Sequence, residues 1–388
     1  MAKKRIYLDW NATAPLLDEA RDALVDALSL LGNPSSVHSE GRAARAMVEK
    51  ARRQVAALVG AEPSHVTFTS CATEAANHVL TPDFRMGRAP LSVARLYVSA
   101  IEHPAIREGG RFDRERVTEI PVEASGVVDL KSLETLLASH PQDAGPPLIA
   151  IMLVNNETGI IQPVSEASAI VHAHGGLLVV DAVQAAGRIA IDMATLGADF
   201  LILSAHKIGG PKGAGALVSR GETLMPVPLI RGGGQEKGHR AGTENVAAIV
   251  GFGAAAHWMA EGLDERNAAI GALRDRLEGG MRASAPDVVI HGEAEKRVVN
   301  TCFFTLPELK AETGQIAFDL EGLALSAGAA CSSGKVGQSH VLTAMGRDAK
   351  TGGLRISLGF STTEDEIERA IEIFMRIAAR RKVSGRAA

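Results

Sequence analysis

Apolar runs of strand length alternate along this chain with longer segments of helical period, the pattern expected of a parallel sheet covered by helices on both faces. The strand candidates are "HVTFTS", "RLYVSA", "PLIAIMLV", "GLLVVDAV" and "ADFLILSA". Between them, residues 42–59 read as an amphipathic helix stopped at Gly60, "CATEAANHVL" continues directly from a strand, and "DLKSLETLLASH" and "SEASAIVHAHG" share the helical period. Nearly every strand candidate ends in a polar or glycine-rich loop. In open α/β sheets ligands sit beyond the carboxyl ends of the strands, so "SCATE", "SAIEH", "VNNETG", "VDAVQ" and "SAHK" are expected to converge on one site.

After the glycine-rich "RGGGQEKGHRAGTEN" a helical pattern runs from near Glu244 to about Ala283, with room for breaks, and is expected to cross between domains. The remainder alternates "VVNTCFFTL", "GLRISLGF" and a last helix "TTEDEIERAIEIFMRIAARRK", whose Thr363 and Glu366 suit a capping box. This predicts a smaller α+β domain that shares residues with the N-terminal arm. A length of 388 residues fits two domains.

Composition narrows the class. With 46% hydrophobic and 22% charged residues the chain is an ordinary globular one, disorder being expected only in the tail "RRKVSGRAA". A net charge of −4 leaves no basic footprint for nucleic acid. The basic start "MAKKRIYLDWNATAP" is not followed by an apolar stretch, and no apolar run reaches membrane-spanning length. Neither a signal peptide nor a membrane span is expected, and the expected location is the cytoplasm. The three cysteines, Cys71, Cys302 and Cys331, are far apart and form no CxxC, which disfavours a disulfide framework or a structural zinc site.

The candidate chemistry lies at the strand ends. In "LSAHKIGGPKGAG", Lys207 follows an apolar strand where the chain turns through glycines; desolvated in a cleft it could form a Schiff base, whereas in an open loop it is a surface lysine. Asp181 ends the strand "LLVVD", where an unpaired carboxylate would be costly, so a cation is expected beside it. A protonated pyridine nitrogen would serve, and so would a structural salt bridge or a helix cap. In "TSCATEAAN", Ser70, Ala72 and Thr73 stand where a strand gives way to a helix whose free N–H groups suit an anion. Ser204 and His206 flank the lysine as further donors. "GAACSSGKV" has five residues between its glycines and no Ser or Thr after the lysine, so it is no P-loop. His103 is either a structural hydrogen-bonder or a proton carrier. Arg355, on the strand "LRIS", needs an anion, from substrate or from within. Cys71 and Cys302 read as packed thiols. Cys331 differs, being set among Gly, Ala and Ser.

Taken in order, "IYLDWNATAP", "SCATEAAN", "EHPAI", "VNNETG", "VDAVQ", "SAHKIGGPKG", "GGGQEKGHRAGTEN", "SAGAACSS" and "RISLGFST" resemble the motifs of the pyridoxal-phosphate-dependent cysteine desulfurases of the NifS and IscS group, within the class V aminotransferase superfamily. The resemblance covers almost the full length. It implies the aspartate-aminotransferase-like fold of pyridoxal 5'-phosphate enzymes, an α/β architecture with a mainly parallel central sheet. The large cofactor domain would be 15–258, and 1–14 with 259–388 a small domain carrying the cysteine. Lys207 would be the cofactor lysine, Asp181 the partner of the ring nitrogen and Gln184 that of the ring oxygen. His103 would stack on the ring and assist proton transfers. Ala72, Thr73, Ser204 and His206 would hold the phosphate, together with Thr243 supplied from the other subunit of a homodimer. Asn155 and Arg355 would bind the carboxylate of L-cysteine.

Cys331 would take the sulfur as a persulfide, leaving L-alanine, and pass it to an iron-sulfur scaffold or another acceptor protein. No resident metal is implied, only a transient ligation of an iron-sulfur cluster through that persulfide. A Gly- and Ser-rich segment suits a thiol that serves the cofactor and then a partner. Cys71 stands where these proteins commonly have glycine, Gln338 replaces a usual proline, and the chain ends soon after its last helix, without the longer tail with which some members dock a scaffold. The rival readings are a plain aminotransferase or selenocysteine lyase that does not need Cys331, and a non-enzymatic phosphate binder. The joint presence of Lys207, Asp181, Gln184 and His103 argues against the second.

Overall fold

A computed structural model describes residues 5–141, 143–328, 338–347 and 351–384. Its centre is a seven-stranded sheet in the spatial order Val66–Thr69, Gly215–Ser219, Phe200–Ser204, Leu177–Asp181, Pro147–Met152, Arg95–Ser99, Val117–Ile120. Gly215–Ser219 runs antiparallel to both its neighbours and the remaining pairs are parallel. The inner strands are buried along their length, which is why they read as continuous apolar runs instead of alternating ones. Alternation survives in where the side chains go. Ile149, Ile151, Leu178, Val180, Leu201 and Leu203 pack under helices Ser39–Leu58, Val164–Ala173 and Val246–Ala260; Leu148, Ala150, Val179, Ile202 and Leu217 pack on the opposite face against helix Ala72–Val79.

A second core gathers Ile6, Leu8, Leu277, Met281, Cys302, Phe304, Phe318, Leu354, Ile356, Ile367 and Phe374. It sits on a four-stranded antiparallel sheet ordered Val289–Ile290, Thr301–Thr305, Leu354–Ser357, Ser326–Ala327. The N-terminal arm joins it, Ile6–Tyr7 pairing in parallel with Leu323–Ala324. Helices Leu263–Ser284 and Glu364–Ser384 cover it, and the latter begins with the expected capping box: Glu366 N donates to Thr363 Oγ1 at 3.3 Å and Thr363 N to Glu366 Oε2 at 3.1 Å.

The long helical pattern keeps to expectation with one break, and two other elements differ from it. The helical pattern after Glu244 is two helices, Val246–Ala260 and Leu263–Ser284, bent by 79° where Gly262 takes φ +59°. The helix expected over 42–59 is Ser39–Leu58, because His38 caps it and Gly41 permits an approach to Ser36 O that any Cβ would block at 2.4 Å. A small sheet of Asp83–Met86, Ala89–Ser92 and Leu224–Pro226 had no expectation at all. No single helix among the described residues is long and apolar enough to cross a membrane.

Candidate active site

Five strands of the large sheet deliver their following residues to one cleft of about 240 Å³, lined by Cys71, Ala72, Thr73, His103, Asn156, Asp181, Gln184, Ser204, His206 and Lys207. The strand ends converge as the parallel topology requires. Lys207 closes a single 3₁₀ turn after Phe200–Ser204, and its Nζ donates to the carbonyls of Asn11 at 2.7 Å and Ala12 at 2.9 Å. The amine is thus held by the segment that leads out of the small sheet. Asn11 itself is a hub: its N–H donates to Ser357 Oγ, its Nδ2 to Thr301 Oγ1, and its carbonyl also accepts from Gln184 Nε2 at 2.9 Å.

The electrostatics are those of a dry pocket. Burial pushes the Asp181 carboxyl up to about 6, against the pull of the Val183 N–H, 2.9 Å from Oδ1, and of Lys207. A further positive charge at this strand end would be strongly favoured. His103 is held down to about 4 by burial and then by Lys207 and His340. Its Nδ1 accepts from Ala105 N at 3.1 Å, which leaves the ring proton on Nε2. His206 is likewise lowered to about 4, by burial and then by Lys207 and Lys212, and its Nδ1 meets Thr13 Oγ1 at 3.0 Å.

Ser204 Oγ, Gln184 Oε1 and Asn156 Oδ1 are buried in the cleft wall without a hydrogen-bond partner among the described residues. Buried polar atoms are normally satisfied, so three orphans on one cleft mark a seat for a polar group brought from outside. The first-turn amides of helix Ala72–Val79 add anion-binding donors beside Ser204. Gly215 lets the neighbouring strand pass behind that turn, since a Cβ there would lie 2.6 Å from the Cys71 carbonyl carbon. Cys71 caps the turn, its Sγ accepting from Glu74 N at 3.4 Å. An aryl phosphate with a basic ring nitrogen and a ring hydroxyl fits this donor set.

Two expected ligands of the substrate carboxylate are placed otherwise. Asn155 is fully buried and spent on its own turn: Oδ1 accepts from Glu157 N, Thr158 N and Thr158 Oγ1, and Nδ2 donates to Ile101 O. Its neighbour Asn156 is the asparagine that faces the cleft. Arg355, 2% exposed, has the internal anion: Nη2 donates to Asp9 Oδ1 at 2.9 Å and Nη1 to Asn156 O at 2.7 Å, leaving Nε without a partner among the described residues. It borders the cleft through the Asn156 backbone and does not line it. Thr243 is exposed and lines a separate hollow with Ser70 and Arg240, outside this chain's own cleft. Cys331 and Lys335 lie outside the described residues. Among the described residues no group of three His, Cys, Asp or Glu side chains is placed to hold a metal ion.

Comparison with known proteins gives a consistent result. Residues 6–370 match the aminotransferase class-V family. The chain is 36% identical over 390 residues to the IscS-like cysteine desulfurase of Mycobacterium tuberculosis, covering 98% of each. It is 36% identical to the cysteine desulfurase NifS of Azotobacter vinelandii over 98% of this chain and 94% of that one. Among solved structures, the NifS-like protein of Rickettsia africae superposes with a TM-score of 0.84 at 35% identity, covering 96% of this chain and 99% of the other.

Proposed function

The chain belongs to the class-V aminotransferase family and, within it, to the cysteine desulfurases, and from that premise we propose how its own residues remove sulfur from L-cysteine. The protein is a pyridoxal-phosphate-dependent cysteine desulfurase of iron-sulfur assembly. The observation that carries the site assignment is the convergence of three unpartnered buried atoms, Ser204 Oγ, Gln184 Oε1 and Asn156 Oδ1, on the cleft that also holds Lys207 and Asp181.

The phosphate is taken by Ser204, His206 and the helix start at Ala72 and Thr73, and Lys207 carries the cofactor. When bound, pyridoxal phosphate supplies an electron-poor ring that stores the electron pair left when the substrate's α-C–H bond breaks. Asp181 would hold the ring nitrogen in its protonated form, a charge that would in turn relieve the burial of its own carboxylate. Gln184, held through Nε2 by Asn11, offers Oε1 to the ring hydroxyl. Lys207, positioned by the Asn11 and Ala12 carbonyls, would move the α-proton, and His103, in the same cleft wall with its Nδ1 taken by Ala105 N, would have its Nε2–H available for transfer. Asn156, through its amide Nδ2, would receive the substrate carboxylate, with Arg355 behind it on the Asn156 carbonyl.

Cys331 attacks the substrate sulfur as thiolate: an S–S bond forms, the C–S bond breaks, its electron pair stays with carbon, and protonation yields L-alanine. The enzyme persulfide then passes to a scaffold or another acceptor thiol. A homodimer is part of this reading, supported by the exposed Thr243 standing outside its own cleft and free to complete a partner's.

Replacement of Cys331 by alanine tests the assignment. We expect sulfide and alanine production from cysteine to disappear while bound cofactor and its visible band remain; full desulfurase turnover in that variant would refute the role of Cys331.

A further inference from the structure

Glu157 follows Asn156 in the same turn, takes no part in the cleft wall, and yet is 1% exposed. A carboxyl is expensive to bury, and a turn needs none. Its Oε2 accepts from Ser339 Oγ at 2.6 Å, and Ser339 is the N-cap of helix His340–Ala344, its Oγ accepting from Leu342 N at 3.1 Å. The same Oε2 lies against Gly328, just after strand Ser326–Ala327, where a Cβ would stand only 2.5 Å from it. One carboxylate oxygen therefore meets residue 328 and residue 339, on either side of the stretch that contains Cys331.

The turn that presents this oxygen is firmly built. The N–H groups of Glu157 and Thr158 donate to Asn155 Oδ1 at 3.0 and 2.9 Å, and the Asn156 carbonyl between them accepts from Arg355. Among the described residues the charges around Glu157 are few. Strand Leu354–Ser357 supplies Arg355, which is itself held by Asp9 of the N-terminal arm. Helix His340–Ala344 turns His340 away, its Nε2 on the Glu102 carbonyl, and strand Thr301–Thr305 presents the uncharged Phe303 beside Gly328. Burial pushes Glu157 up to about 7, while the Ser339 hydrogen bond and Arg355 favour its ionised form.

Resting on the assignment of Cys331 as sulfur acceptor, we propose that Glu157 is a positioning residue for sulfur transfer: it ties residues 328 and 339 to the turn that offers Asn156 to the substrate, and through these two anchors it governs the rate of transfer to Cys331. The tie is strongest when Glu157 is ionised, because the carboxylate then accepts the Ser339 hydroxyl proton and faces Arg355.

The test uses holoenzyme and reads single-turnover persulfide formation on Cys331 by mass spectrometry, with bound cofactor and the KM for cysteine measured alongside. For Glu157→Ala we expect persulfide formation to slow by roughly tenfold, the worth of one charge-assisted hydrogen bond, with KM and cofactor content within about twofold. Glu157→Gln should recover most of the rate, and the wild-type advantage over it should grow as pH rises through about 7. Ser339→Ala should slow transfer by roughly threefold, and the double variant should be no slower than Glu157→Ala, because one contact is lost twice. Wild-type persulfide rates in Glu157→Ala overturn the proposal, as do losses that multiply in the double variant. Should Glu157→Ala not fold, an unchanged pH profile in Glu157→Gln with a wild-type rate in Ser339→Ala overturns it equally. Absence of persulfide on Cys331 in the wild-type enzyme would instead remove the underlying reading of Cys331.

Discussion

Two buried polar clusters in this protein treat their hydrogen-bonding capacity in opposite ways. Where helix Ser39–Leu58 meets strand Val66–Thr69, Arg52 gives Nη1 to Glu236 Oε2 and to Val66 O, both at 2.7 Å, Nη2 to Glu236 Oε1 at 2.8 Å, and Nε to Glu49 at 3.1 Å. Its guanidinium lies 4.8 Å over the Phe68 ring, and Glu236 Oε2 also accepts from Phe68 N. Glu236 is held at φ +46°, a strained backbone that such a bidentate pair can maintain. In the cleft, 3% exposed Ser204 keeps its hydroxyl unpartnered among the described residues, as the Gln184 and Asn156 oxygens do theirs, and burial disfavours the charge of Asp181. Burial is similar in both places. Saturation marks the first as architecture, and its absence marks the second as a seat for a group from outside.

The contrast can be broken most forcefully at Lys207. Lys207→Ala should lower desulfurase turnover by at least about 10²-fold, since a positioned proton carrier is lost, and abolish the visible band that borohydride removes from the wild type. Its thermal unfolding without cofactor should hardly change, and a turnover near wild type would dissolve the distinction between the regions. Glu236→Ala should do the reverse. Leaving Arg52 buried without its anion costs about 3–5 kcal/mol, read as a lower urea midpoint, while cofactor affinity per folded molecule stays. Unchanged stability there would mean that saturation does not identify structural pairs.

Ser204→Ala sharpens the comparison at smaller scale. Removing a hydroxyl that has no partner should leave the cofactor-free protein as stable or slightly more so, and weaken cofactor binding by about tenfold, measured by equilibrium titration. The smallest effect is in pH. Asp181 is raised from 3.8 to about 6 in the folded cofactor-free chain, so that chain binds more protons than the unfolded one across this window. Stability contributed by this group is therefore present at the acid end and falls as pH rises from about 4 to 6. Asp181→Asn should flatten that part of the unfolding profile, and a persistent slope would place its origin in other groups, such as Glu157, which is raised to about 7.

How much of this was legible beforehand varied with the range of the interaction concerned. The strands of the large sheet announced themselves because Pro147–Met152 and Phe200–Ser204 are apolar throughout and bounded by polar turns. The small sheet of Asp83–Met86, Ala89–Ser92 and Leu224–Pro226 did not, since its outer positions are largely exposed and carry no period. Helix Ser39–Leu58 hid its first turn in the polar "SEG" behind an unusual histidine cap. In "VNNETG" two identical residues had different fates: Asn155 folds back onto its own turn and Asn156 faces the cleft, a choice that rests on backbone direction and leaves no mark in composition. Glu157, in the same motif, gave no signal of its contacts with Gly328 and Ser339.

The α/β class, the strands whose ends build the cleft, and the placing of Lys207 and Asp181 at two of those ends were all written in the order of residues. These follow from hydrophobic period and turn residues, which act between near neighbours along the chain. Which polar atoms are already taken depends instead on contacts made across the folded chain. Asp9 claims Arg355 from 346 positions away, Asn11 reaches across to hold Lys207 and Gln184, and Ser204, Gln184 and Asn156 are left over. Hydrogen bonds form over about 3 Å of space regardless of separation in sequence, so which polar atoms stay unclaimed in this site is settled only once the chain has folded.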